Sequence, residues 1–340
     1  MSLDRKKLFH GKGLFVFSDP AGCNAVLALV KQLCEREILT SYEIYTNNLD
    51  LDISNELSIT KQINFNNDIC VEIIKKLKPD YLFTATSLNA YEHEWRKVAK
   101  DEDIKSIAFI DHWTNYYNRF CYKDEVIFTD VIWVINEKAK IEAIEEGLPE
   151  DKIIIDANPY YEEVRNYKTK CEKKSFFEEI DISVDKKTIL FISDDIKRGF
   201  GQRKNGGCIL GYDEYTTLEK ILKAFRNISS KRNLNGYQLL IKLHPKSEDK
   251  KFDELINEFS PQELSVKVVR KCDTLLTIYF SDYILGMFSN MVIESIIMGR
   301  AVTRVIIGQD TIDPFKFDLN NCHCVRDEES LENTLFKIIN

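Results

Sequence analysis

Short apolar runs rich in β-branched and aromatic residues alternate along this chain with longer amphipathic ones. From Gly13 the order is GLFVFS, GCNAVLALVKQLCERE, SYEIYT, CVEIIKKLK, DYLFTA, NAYEHEWRKVAKDED, IKSIAFI, VIWVI, NEKAKIEAIEEG and DKIIID. A short apolar run bounded by turn signals reads as a strand buried on both faces, and the segments of helical period between such runs read as helices. Their alternation predicts βαβ units and a parallel sheet covered by helices. A polar, charge-rich stretch from Tyr160 to Lys186 follows, read as a linking helix. Beyond it lies a second series: TILFIS, a loop, YDEYTTLEKILKAFRNISSKR, GYQLLIKL, KKFDELINEF, LSVKVV, DTLLTIYF, DYILG, SNMVIESIIMG and AVTRVII. The pattern predicts an α/β protein of two tandem Rossmann-like, doubly wound domains, residues 1–168 and 169–340, with a ligand cleft between them. SLENTLFKIIN is expected to close the chain as an amphipathic helix whose docking partner the pattern does not reveal.

Composition narrows the partners. A chain of 340 residues is too long for one ordinary core, and 44% hydrophobic with 30% charged residues is globular usage. A formal charge of −8 and a pI near 5.4 leave no electrostatic footprint for nucleic acid. The nine cysteines show no CxxC or zinc spacing, as expected of reduced thiols in a cytoplasmic protein. No apolar run reaches the ~20 residues of a membrane span, and the amino terminus lacks a signal-peptide h-region. Asp50 to Asp52 read DLD, here a solvated loop rather than a metal motif, so no metal ligand is expected. The oligomeric state is not readable.

The chemistry concentrates at strand ends. In YQLLIKLHPK, Pro245 has no N–H for a ladder and ends the strand, leaving His244 at its carboxyl edge. In SDYILGMFSNMVIESIIMG a buried strand ends at Gly286, and Ser289 or Asn290 caps a helix that is apolar nearly all round except for Glu294. A capping box would need Ser or Thr at Met291, so Glu294 needs another partner: ribose hydroxyls, a backbone N–H pair or an arginine. The start of that helix is a ready phosphate site, with Ser289 and Asn290 as donors and His244 reaching it from another strand. In the first half, Asp19 in FVFSDPAGC is either an N-cap or a general base, and Asp111 and His112 in FIDHWTNYYNRF offer a base beside aromatics that could stack on a sugar. Thr86 and Ser87 are expected near them. The glycine-rich IKRGFGQRKNGGC, with Lys197, Arg198, Arg203 and Lys204, is a candidate lid.

A strand ending in His-Pro, followed by a G-x-x-S helix carrying a Glu, resembles the nucleotide-sugar half of GT-B glycosyltransferases. More closely it is similar to the bacterial sialyltransferase, polysialyltransferase and CDP-glycerol transferase group. The resemblance implies that His244, Pro245, Gly286, Ser289, Asn290 and Glu294, with Ser193 and Asp194 from the loop after the first strand of the second domain, hold a CMP-, CDP- or UDP-linked sugar. It further implies transfer to a carbohydrate acceptor on the first domain without metal or cofactor, in surface polysaccharide synthesis. Asp19, Asp111 or His112 would be the base, and His244 would stabilise the leaving phosphate. The alternative of the same architecture is a nucleotide-sugar 2-epimerase or hydrolase. Those enzymes usually show an HVEAG-like strand end where this chain has FIDHW, and an H-x-N-P-like motif where it has LHPK; both departures weigh against that alternative. A nucleotide-binding module without a base is a third class.

Overall fold

The run LFVF leaves no face for solvent, and strand β1 (Lys12–Phe17), buried from Gly13 onward, lies inside a sheet. Parallel partners flank it: β2 (Ser41–Thr46), with β3 (Ile59–Lys61) beyond, on one side, and β4 (Tyr81–Thr84) and β5 (Lys105–Ile110) on the other. A small antiparallel hairpin of β6 (Cys121–Tyr122) and β7 (Glu125–Val126) precedes β8 (Val131–Val134) and β9 (Ile153–Ile155), which complete the seven-stranded order β3-β2-β1-β4-β5-β8-β9. This computed structural model describes residues 5–39, 41–48, 59–61, 67–203, 206–244, 247, 249–315 and 322–339. Pro245, Lys204 and the DLD of Asp50 to Asp52 lie outside them, and the Arg198 side chain is likewise not described.

The chain divides into two compact units, Met1–Glu163 and Val164–Asn340. The second unit holds a six-stranded parallel sheet, β12-β11-β10-β13-β14-β15, made of β10 (Lys187–Ile192), β11 (Tyr237–Lys242), β12 (Ser265–Val269), β13 (Tyr283–Gly286), β14 (Val302–Val305) and β15 (Cys322–Val325). The expected architecture of two Rossmann-like α/β domains is therefore present. DTLLTIYF is a helix, Thr274–Phe280, capped by Asp273, and the linking stretch carries two short helices, Pro159–Arg165 and Lys173–Glu179. The closing helix Glu328–Ile338 docks on the helix Glu214–Ser229: Asn227 and Lys231 bond Glu332, and Arg232 stacks on Phe336.

Strand order reverses between β1 and β4 in the first sheet and between β10 and β13 in the second. Ligands of open α/β sheets bind outside the carboxyl ends at such switch points. At each switch a glycine brings a helix close. A Cβ on Gly22 would stand 2.5 Å from that of Ala85, and one on Gly286 would stand 2.5 Å from Val292 Cγ2. These contacts seat the helix Pro20–Glu35 on the loop after β4, and the helix Asn290–Ile297 on the end of β13. Separate cores lie beneath: Leu14, Val16, Leu82, Tyr91 and Trp95 in the first unit, and Phe176, Phe177, Leu190, Ile192, Ile284 and Val292 in the second.

Candidate functional site

At the switch point of the first sheet, β1 delivers Ser18 and Asp19, β4 delivers Thr86 and Ser87, and β5 delivers Asp111 and His112. Asp19 is the N-cap of its helix, with Pro20 in the first turn and Oδ1 accepting the Gly22 N–H at 2.6 Å. A cap bond favours the carboxylate, yet burial and the neighbouring Asp111 outweigh it and push Asp19 up to about 6. Cap and charged neighbour coexist in one residue.

Arg119 organises this edge from the short helical turn after β5. Its Nη1 donates to the Thr86 carbonyl at 2.6 Å and its Nε to the Thr114 carbonyl at 3.0 Å, and Nη1 stands 3.6 Å from Asp111 Oδ1. Arg96 holds it in turn, donating to the Arg119 carbonyl at 2.9 Å. Burial and the Arg119 charge push His112 down to about 3, so its ring, 3.1 Å from the Thr114 hydroxyl, stays neutral at physiological pH. Behind Asp19, Glu92 is fully buried and takes hydrogen bonds from Ser18 (2.9 Å) and Ser87, while Asn89 donates to Ser18 Oγ at 2.7 Å. Burial and the nearby Asp19 raise Glu92 as well. Asp111 thus stands beside a guanidinium, while Asp19, close enough to feel the Asp111 charge, is raised toward neutrality. Unequal carboxyl pairs are the usual basis for dividing acid and base roles.

At the switch point of the second sheet, Ser193, Asp194 and Asp195 follow β10, His244 follows β11, and Gly286 to Ser289 follow β13. Ser193 is buried, its N–H bonded to the Lys242 carbonyl. Asp194 accepts the Phe288 N–H at 2.8 Å, and burial pushes it up to about 8 although that amide and the Ser289 hydroxyl pull the other way. His244 Nδ1 stands 3.8 Å from Asp195 Oδ2, and Arg270 pins its turn by donating to the carbonyls of His244 (3.1 Å) and Ser247 (2.6 Å). Ser289 caps the helix Asn290–Ile297 through its backbone only. Glu294 is buried and pushed up to about 7 by that burial, and its Oε2, like Asn290 Oδ1, has no hydrogen-bond partner among the described residues. Orphaned buried acceptors call for a donor beyond the described residues, water or ligand included.

The glycine-rich segment is partly a short helix, Ile196–Phe200, and partly a pad on the loop after β14. Arg203 donates to the carbonyls of Ile209 and Asp310, and Gly211 packs directly against Gly308. Three residues escaped the sequence reading. Arg304 was legible as a charge inside the apolar strand AVTRVII, and Glu92 as a carboxylate on the apolar face of NAYEHEWRKVA; Arg119 lies in a loop with no periodicity to mark it. Among the described residues no group of three or more His, Cys, Asp or Glu side chains is placed to hold a metal ion, and no helix is long and apolar enough to cross a membrane.

The fold is GT-B-like, and solved structures of that architecture superpose on nearly the whole chain. The UDP-GlcNAc 2-epimerase of Methanocaldococcus jannaschii matches at 15% identity and TM-score 0.66, covering 96% of this chain and 92% of its own. The UDP-GlcNAc 2-epimerase of Neisseria meningitidis, solved with UDP-GlcNAc, matches at 15% identity and TM-score 0.64 over 96% of this chain and 91% of its own. The Anabaena HepE protein in complex with UDP-glucose matches at 10% and 0.63, over 97% and 90%. No protein-family model matches the chain, and no curated protein matches it in sequence. These likenesses define the fold. They also correct the reading as a glycosyltransferase of the sialyltransferase, polysialyltransferase and CDP-glycerol transferase group, because the epimerases among these neighbours rebuild the sugar of UDP-GlcNAc rather than pass it to an acceptor. The physical reason is that a His-Pro strand end and a Ser-capped helix, the features that carried the resemblance, suit any phosphate-bearing ligand and do not select between the two kinds of enzyme. The chemistry at the sugar is decided elsewhere.

Proposed function

We propose that this chain is an enzyme acting on a uridine-linked nucleotide sugar, as a 2-epimerase or as a hydrolase that releases the sugar. The observation that carries the reading is the carboxyl pair Asp19 and Asp111, with Arg119 beside Asp111 and Asp19 raised to about 6. Inverting C2 of such a sugar needs one group to take the C2 proton as the electron pair forms a C1–C2 double bond and expels the diphosphate, and another to return a proton to the opposite face of C2 as a diphosphate oxygen adds back to C1. Hydrolysis needs a base to take a proton from water as its oxygen attacks C1 and the C1–O bond to the diphosphate breaks. Asp19, ionised above about pH 6, serves as base in either case, and Asp111 is the second group of the pair. His112, held neutral, orients rather than exchanges protons.

The second unit holds the nucleotide in this reading. Glu294 and Asn290 accept from the ribose hydroxyls, and His244 donates to phosphate. The uridine complexes among the solved neighbours support that base. The test is incubation with UDP-GlcNAc in heavy water. Deuterium at C2 of a nucleotide-linked product means epimerisation, and free UDP with a reducing sugar means hydrolysis. No turnover, together with no thermal stabilisation by uridine nucleotides, would overturn the proposal.

A further inference from the structure

The start of a helix favours an anion, and in the second unit the chain supplies one itself. Asp194 Oδ2 takes the Phe288 N–H immediately before the helix Asn290–Ile297. The groups that face it are Glu214, Tyr212, the Ser289 hydroxyl and Arg304. Glu214, from the helix Glu214–Ser229, is buried and raised by that burial, and Tyr212 stands close enough for Asp194 to raise it. Arg304 of β14 is the buried cation nearby, but it is committed: two nitrogens grip Asp313, at 3.0 and 2.5 Å, and Nε bonds the Met287 carbonyl at 2.8 Å. Asp195, next in the chain, stands by His244, and Glu294 lies one turn into the helix. A nucleotide diphosphate brings two more negative charges to this edge. It has no place beside an ionised Asp194, whereas a neutral carboxylic acid there presents an O–H donor while its other oxygen keeps the Phe288 bond.

We propose that Asp194 keeps its proton when the nucleotide sugar is bound and donates it as a hydrogen bond to a phosphate oxygen, so that binding fails as this proton is lost. The inference rests on the reading of the second unit as the nucleotide holder. Burial supports it by pushing Asp194 up to about 8. Glu294, pushed to about 7, acts with opposite sign, since it accepts ribose hydroxyls best when ionised. Affinity therefore rises through about pH 7 and falls above about 8.

The experiment is calorimetric titration of the full chain with UDP-GlcNAc, whose diphosphate diester does not titrate between about pH 6 and about pH 9, in buffers of different ionisation enthalpy. Wild type should weaken about tenfold per pH unit once Asp194 is ionised and take up about one proton on binding there. Asp194→Asn carries an acceptor for Phe288 and a permanent donor for phosphate. Whatever its affinity near pH 7, it should lose the high-pH decline and the proton uptake; uracil titration is common to both proteins. A variant that declines in parallel with wild type, or wild-type binding above pH 8 without proton uptake, overturns the inference while leaving the nucleotide reading intact. The proton count stands without the variant, should that fail to fold. No binding by wild type at any pH overturns both.

Discussion

Asp19→Asn separates capping from chemistry, because Asn caps a helix about as well as Asp and keeps an oxygen for the Gly22 N–H. Asp19 is raised from 3.8 to about 6. A carboxyl whose folded value lies above its unfolded one contributes most to stability below the unfolded value, and that contribution is lost as pH rises through the folded one. At about 1.4 kcal/mol for each pH unit, the ionised group costs the fold up to about 3 kcal/mol above pH 7 and nothing near pH 3. The variant should therefore unfold at higher urea than wild type at pH 7.5, by about 1–3 kcal/mol, with the gain gone by about pH 3.5. Turnover of UDP-GlcNAc should fall by about 10²–10⁴ while nucleotide affinity stays level. Urea curves at both pH values with a turnover assay decide the matter. A variant no more stable at pH 7.5 than wild type would refute the burial of a charged carboxyl beside Asp111. Undiminished turnover would reduce Asp19 to a cap.

Glu294→Gln should weaken UDP binding by about 1–2 kcal/mol above pH 7 without lowering the melting temperature, since it trades a buried carboxylate for an amide of the same shape; unchanged affinity per folded molecule would make Glu294 structural. His244→Ala should cost UDP about 1.5–3 kcal/mol and uridine almost nothing, as measured by parallel titrations, and equal losses would remove it from the phosphate. Arg119→Met should raise Asp19 further, because Arg119 lowers it now, so the acid limb of the pH–rate profile moves above pH 6; an unmoved limb in a folded variant would show that Asp19 does not set it.

The strands were readable because a parallel strand inside a helix-covered sheet is apolar on both faces. TILFIS, QLLIK and IAFI each gave a strand for that reason. Where that cause lapses the pattern fades: β15 reads CHCV with an exposed histidine and lies at the sheet edge, and it was not anticipated. Polar strand-end residues were equally readable, since side chains beyond the last ladder bond belong to the switch point. Asp19, Asp111 and His112 come from two of the three neighbouring strands β1, β4 and β5, with Thr86 and Ser87 from the strand between them. Arg119, which stands beside Asp111 and opposes the rise of Asp19, could not be found this way, because its approach depends on the path of a loop and on Arg96 holding its carbonyl.

The same reasoning explains why the chemical class was misread. A phosphate asks for a helix start and a donor, a ribose asks for a buried acceptor, and the second unit supplies these at one sheet edge whatever is done to the sugar. What separates transfer from epimerisation is the number and protonation of groups around the sugar carbons. That is a property of burial and of neighbouring charge, and residue type alone does not carry it. Asp19 is an ordinary N-cap in the sequence, and only burial and the neighbouring Asp111, by making its charge costly, bring its titration near neutrality, as the proposed role of base requires.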